Sequence, residues 1–129
     1  MNKVVVRRLY DEVINARRLE QAGELVHDDY EGPAGDRGPA GFVATVRDLL
    51  QGFPDIAFTI EDLVEEGDRV AVRWRWEATH AGQFRTYAPT HKRITNSGIA
   101  IYQLRDGQVV RSWLETDRLG ALQQIGAIK

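Results

Sequence analysis

The chain has no cysteine. Disulfides, thiolate metal sites and cysteine nucleophiles are therefore excluded. It has no apolar run approaching the roughly 20 residues of a membrane-spanning helix. Charge of one sign is not in excess: 17 lysines and arginines meet 19 aspartates and glutamates, for a net charge of −2. Such a balance recommends neither nucleic acid nor an anionic membrane as a partner. The histidines are few, His27, His80 and His91, and they show no short metal-ligand spacing, so no metal site is expected. The stretch Met1–Arg8 meets charge too early for a signal peptide, which points to a cytoplasmic protein. Repeats and low-complexity segments are absent as well.

What is present is enough for one folded unit. The 129 residues suggest a single domain over 1–129, and 43% hydrophobic content supports a proper core. The most informative stretch is Arg69–His80. Val70, Val72, Trp74, Trp76, Ala78 and His80 fall on one side, and Arg69, Arg73, Arg75, Glu77 and Thr79 on the other. Period two of this kind predicts a strand with one buried face. Two tryptophans two residues apart form an aromatic wall, suited to a core or to a pocket lining.

The rest of the chain arranges itself around that strand. Residues 3–18 predict a helix, with Val6, Tyr10, Val13 and Arg17 at helical spacing. Leu19–Val26 predicts a short second helix, weakened by Gly23. His27–Gly38 has loop chemistry and the length of a flap or cavity rim. Pro39 opens a third helix, striped by Phe42, Val46, Leu49, Leu50 and Phe53 and ended by Gly52 and Pro54. From Asp55 the period is two. A strand to Glu65, a turn at Gly67-Asp68, the Trp strand, a strand over Arg93–Leu104, a hairpin turn at Asp106-Gly107 and a strand over Gln108–Thr116 follow. Arg118–Ile125 predicts a closing helix. Helices followed by antiparallel strands indicate an α+β domain, with helices on one face of the sheet.

Several stretches, taken in order, resemble a known family: Phe53-Pro54-Asp55, Gly67–Trp74, Thr79–Phe84, Pro89–Lys92, Asp106–Val110, and Trp113 with Asp117 and Leu119–Gly126. They resemble the SnoaL-like (polyketide cyclase-like) family of the NTF2-like superfamily. The resemblance covers nearly the whole chain. It implies a cone: three N-terminal helices packed on a curved, mostly antiparallel sheet, with a pocket between. It implies an intramolecular aldol cyclisation of a polyketide ester, with no metal or organic cofactor. An acid near the start of the C-terminal helix acts as general acid/base in such cyclases, and Asp117 matches its place. Those cyclases pair the acid with a histidine on the preceding strand. Residues 93–104 contain none, and Ala100, Tyr102 and Gln103 stand there instead. His91 likewise replaces the glycine of the family's Pro-Thr-Gly segment. Superfamily members carry out other reactions too, and some carry out none.

The residues themselves allow a site to be sketched. In an unbroken strand Trp113, Glu115 and Asp117 share one face, which would set two carboxylates beside the indoles. Apolar surroundings raise a carboxylate's pKa toward what proton abstraction next to a carbonyl needs. The plainer roles are a helix cap for Asp117 and an ion pair with a neighbouring arginine for Glu115. His80 could partner the acid or orient a carbonyl, or simply bond backbone or water. Trp74, Trp76 and Trp113 would bind a flat apolar molecule, and Tyr10, Tyr30 (at the flexible rim) and Tyr102 would supply hydroxyls. Filling the core is the alternative role for all six.

The expected function is thus cofactor-free acid/base chemistry on an apolar cyclic or aromatic molecule, of the aldol or isomerase type. An epoxide hydrolase using Glu115 with Asp117 is one alternative, and a non-catalytic ligand binder is another. Relatives of this fold often pair through the sheet's outer surface, so the resemblance also implies a homodimer.

Overall fold

The computed structural model describes residues 2–127. Helix α1 (Asn2–Arg8) runs directly into a π-helical segment, Leu9–Asn15. A 3-10 turn (Leu19–Gln21) leads into α2 (Ala22–Leu25), β1 (Val26–Glu31) and α3 (Gly38–Gly52). Strands β2 (Ala57–Glu66), β3 (Arg69–Thr79), β4 (Arg93–Arg105) and β5 (Gln108–Thr116) precede α4 (Arg118–Gln124). The sheet order is β1-β5-β4-β3-β2. Every neighbouring pair is antiparallel except β1 with β5. This is the α+β cone the sequence predicts, its helices covering one face of a curved sheet.

β3 follows its alternation. Val70, Val72, Trp74, Trp76 and Ala78 are buried, while Arg69, Arg73, Arg75 and Glu77 are exposed. The outward residues form a ladder of ion pairs: Arg73 to Asp62 at 2.6 Å, Arg75 to Glu61 at 3.1 Å and Arg93 to Asp55 at 2.9 Å. Exposed pairs of this kind contribute only about 0–1 kcal/mol each, so burial of the other face holds the strand in place.

Two side-chain amides finish strands where no neighbouring strand does. Asn15 exchanges hydrogen bonds of 2.9 and 2.8 Å with the Phe58 backbone on β2. Gln124 of α4 does the same for Thr95 on β4, both bonds 2.8 Å. The first helix ends at Asn15 rather than running to residue 18. Arg17 turns left-handed there, at φ 63°, a costly conformation for arginine. Its guanidinium donates to the carbonyls of Ile14 (2.8 Å), Pro54 (3.0 Å) and Ile56 (2.7 Å), which ties this corner to the start of β2.

Two further expectations are corrected. Residues 26–31 form an edge strand, not a helix end and a loop. Only Val26 and Tyr30 of this strand are buried, and its parallel partner β5 lies some eighty residues away, so the local sequence carries little signal. The second correction concerns β5. Gln103 pairs with Arg111 but Leu104 pairs with Val109, so Val110 is an extra residue, a β-bulge. One inserted residue exchanges the two faces of everything after it. Ser112 is therefore buried and Leu114 and Thr116 half-buried, while Trp113, Glu115 and Asp117 are exposed.

Candidate functional site

The concave face brings two aromatic groups together. Around β2 and β3, Phe58 meets Trp74 edge-on with ring centres 5.0 Å apart, and Tyr10 lies 5.5 Å from Phe58. At the far end of β3, Phe53 touches Trp76 (5.1 Å), His80 (5.5 Å) and Phe84 (5.1 Å). Trp74 and Trp76 therefore both face the interior, as their parity predicts.

Polar groups are threaded through this lining. The Tyr10 and Tyr102 hydroxyls are 2.6 Å apart, and those of Tyr30 and Ser112 are 2.8 Å apart. Tyr102 and Ser112 are direct partners across β4 and β5, so the two pairs are neighbours. Burial pushes Tyr10 and Tyr102 well above the ordinary tyrosine range and Tyr30 up to about 12. All three keep their protons at neutral pH, and in each pair one hydroxyl donates to the other. The Trp74 N–H is buried beside this lining and has no hydrogen-bond partner. Tyr30 is buried on β1, not exposed at a flexible rim. Ser112 escaped the sequence reading because the bulge reversed the parity that would have marked it.

His80 is fully buried just beyond β3. Its Nδ1 accepts from the Thr90 backbone N–H at 3.3 Å and lies 3.0 Å from Thr90 Oγ1. In the neutral ring the proton consequently sits on Nε2, which has no hydrogen-bond partner. Burial holds this imidazole below the usual histidine range, and the nearby Tyr87 carbonyl only partly opposes the shift. His80 also exchanges backbone bonds of 2.9 Å with His91 and Lys92, so it anchors the 81–92 connection.

The carboxylates lie elsewhere. Asp117 is exposed and caps α4, accepting from the Gly120 N–H at 2.8 Å. Glu115 is exposed on the outer face. Trp113, 36% exposed, lies on that face too, with the guanidinium carbons of Arg69 and Arg111 each 5.0 Å from its ring centre. The shared hollow of late acids and indoles expected from the sequence does not form, because the bulge turned β5 over. Among the described residues the buried polar side chains are His80 and Ser112. Asp36, half-buried on the chain between β1 and α3, carries a buried Oδ1 without a hydrogen-bond partner, and its charge helps to raise the Tyr30 pKa. Two surface clefts, of about 340 and 430 Å³, lie against Asp29 and Arg111 and against Lys3 and Arg7, outside the cone.

The sequence pattern of the SnoaL-like polyketide cyclase family matches residues 4–125. No curated protein matches the chain. Among solved structures, a candidate polyketide cyclase from Acidithiobacillus ferrooxidans is 30% identical, with 99% of this chain and 96% of that one covered and a TM-score of 0.85. IdmH from Streptomyces antibioticus, described as a candidate polyketide cyclase, is 28% identical over 98% of this chain and 99% of its own, also at 0.85. TsrD from Streptomyces laurentii is 27% identical over 97% of both chains, at 0.86. With its cone, its inward indoles and a family pattern running nearly end to end, this chain belongs to the SnoaL-like polyketide cyclase family.

Proposed function

We propose that the cone binds a flat, largely apolar carbonyl compound and acts on it without a cofactor, by an aldol-type cyclisation or a related isomerisation. The observation that carries this reading is the lining itself, an indole wall interleaved with buried hydroxyls that hold their protons. Such donors polarise a carbonyl and steady the negative oxygen that forms when a neighbouring C–H is removed. Proton removal falls to Asp117 in this reading. It directly follows Thr116, the last inward-facing residue of β5, and would exchange its bond to Gly120 for the substrate. Glu115, on the outer face, takes no part. A cytoplasmic setting belongs to the same proposal.

One observation favours a second reading. Since Asp117 is exposed and engaged as a cap, a binder without turnover fits the same lining. The epoxide hydrolase alternative needs two carboxylates facing the interior and finds no support in this geometry.

2-Tetralone, a flat aromatic ketone with acidic C–H bonds, separates these readings. Binding is read by tryptophan fluorescence, and hydrogen exchange next to the carbonyl by NMR in heavy water. The enzyme reading expects binding with accelerated exchange. Asp117→Asn, which can still cap the helix, should keep binding and slow exchange by about 100-fold or more, the usual range for losing a general base. Binding with exchange no faster than in buffer gives the binder, and no binding rejects both.

The outer face supports a homodimer within the same proposal. Val64, Ala71, Ile101 and Trp113 form a row across β2, β3, β4 and β5, and Ile99 stands beside it. Val64, Ile99, Ile101 and Trp113 are exposed, an apolar band bordered by the arginine and carboxylate ladder. Bands of this kind are usual at interfaces between copies.

A further inference from the structure

A single buried side chain holds a whole connection. His80 is fully buried just beyond β3, and residues 81–92 run from it to the start of β4. The His80 N–H donates to the Lys92 carbonyl and its carbonyl accepts from the His91 N–H, both at 2.9 Å. Its ring Nδ1 accepts from the Thr90 N–H at 3.3 Å. Near its start the connection rests on the end of α3. There the Ala81 and Gly82 amides donate to the Gly52 carbonyl at 3.1 Å, and the Phe84 ring lies 5.1 Å from Phe53, which in turn meets Trp76 and His80. Beyond these contacts the connection lies open, most of residues 81–91 being exposed. Arg85 and His91 are left-handed, at φ 54° and 58°, a conformation that costs a residue with a Cβ. Segments with few buried contacts open without the rest of the fold.

The imidazole is neutral in this arrangement, with its proton on Nε2. A second proton has to enter at Nδ1. Thr90 Oγ1, 3.0 Å away, can accept it, but the Thr90 N–H then points at a hydrogen and loses its acceptor. The added charge also sits where no water reaches it. The surroundings do not compensate. His91 and Lys92 on the connection and Arg93 at the start of β4 carry charge of the same sign, and Arg85 lies over the Phe84 ring. Asp55, just before β2, is engaged by Arg93 at 2.9 Å and by the Thr79 N–H at 2.7 Å. Among the described residues no carboxylate pairs with the His80 ring.

We propose that the 81–92 connection is a pH-controlled strap over the Phe53 and Trp76 end of the cone, released by protonation of His80 while the sheet stays folded. With the strap lifted, His80 meets water and titrates near its ordinary value of about 6.5. With the strap down, burial holds it lower. The open form is therefore favoured as pH falls below about 6.5, by up to about tenfold per pH unit, until the buried ring itself takes the proton. Above that pH the strap stays down. The inference goes beyond the proposed reaction, since it concerns access to the cone and holds for an enzyme and for a binder alike.

The test is amide hydrogen exchange by NMR on the full chain, at several pH values on either side of about 6.5 and in low urea, corrected for the intrinsic exchange rate. The Thr90 and His91 amides should lose protection by up to about tenfold per pH unit below about 6.5. Low urea should leave their exchange unchanged, because little surface is exposed when only the strap lifts. The Val72 and Trp74 amides, inside the sheet, should instead follow urea steeply. His80→Asn should abolish the pH response at Thr90 and His91. If that variant does not fold, the wild type decides: the His80 ring resonances and the Thr90 protection should change over the same pH range. Protection at Thr90 and His91 that ignores pH, or that follows urea as steeply as Val72, overturns the strap. So does a pH response that persists in folded His80→Asn or departs from the titration of the ring.

Discussion

His80 illustrates how a single side chain ties site to stability. Its Nδ1 accepts from Thr90, and a proton there would face the Thr90 N–H that it now receives. Burial lowers its pKa in the folded state, while in the unfolded chain it titrates near 6.5. Below that value the unfolded chain binds the proton more readily, so stability falls as pH drops through about 6.5 and is fully present above it. Equilibrium urea unfolding between pH 8 and pH 5 should show this loss. In His80→Asn, whose side-chain oxygen can still accept from Thr90, the dependence in that window should vanish. Glu12, held low by its hydrogen bonds to Arg8, and Asp55, held low by the Thr79 N–H, act only at more acid pH. Trp74 and Trp76 were legible from the alternation of β3 and Tyr10 from its helical spacing, whereas Tyr30 reads as a loop residue and proves to be buried on β1. Ser112, and the outward turn of Glu115 and Asp117, were not legible.

At the scale of elements, close approach decides what the strands can hold. β4 crosses beneath the Trp74 ring at Gly98. A methyl group there would lie 2.7 Å from the indole and 2.8 Å from the Glu115 carbonyl. No staggered shift of so large a ring relieves that contact, and the carbonyl belongs to a paired strand. Gly98→Ala should therefore destabilise the protein by about 1–3 kcal/mol, the usual cost of overpacking. Thermal unfolding measures it, and an unchanged melting temperature would contradict the packing described for Trp74. Gly82 plays a similar part in the 81–92 connection, where the Ala81 and Gly82 amides both donate to the Gly52 carbonyl at 3.1 Å. The bulge at Val110 is the third such device. It costs one ladder position and in return aims Ser112 into the cone and Trp113 out of it.

For the whole molecule, the outward row through Ile101 and Trp113 should seat a second copy. Sedimentation velocity of the wild type should give a dimer, and Ile101→Glu should give a monomer that keeps the same melting profile at low concentration. A wild-type monomer at tens of micromolar would remove the dimer from the proposal. The amino-acid sequence by itself determined the α+β class, the two faces of β3, the antiparallel run from β2 to β5 and the family, because periodicity and turn residues are local signals. Tertiary structure alone decided which face of β5 looks inward, that residues 26–31 join the sheet, and which side chains gather around Tyr102. Those outcomes depend on pairing between distant strands and on a single inserted residue. The alternation along β5 reads equally well on either face until its partner fixes the register.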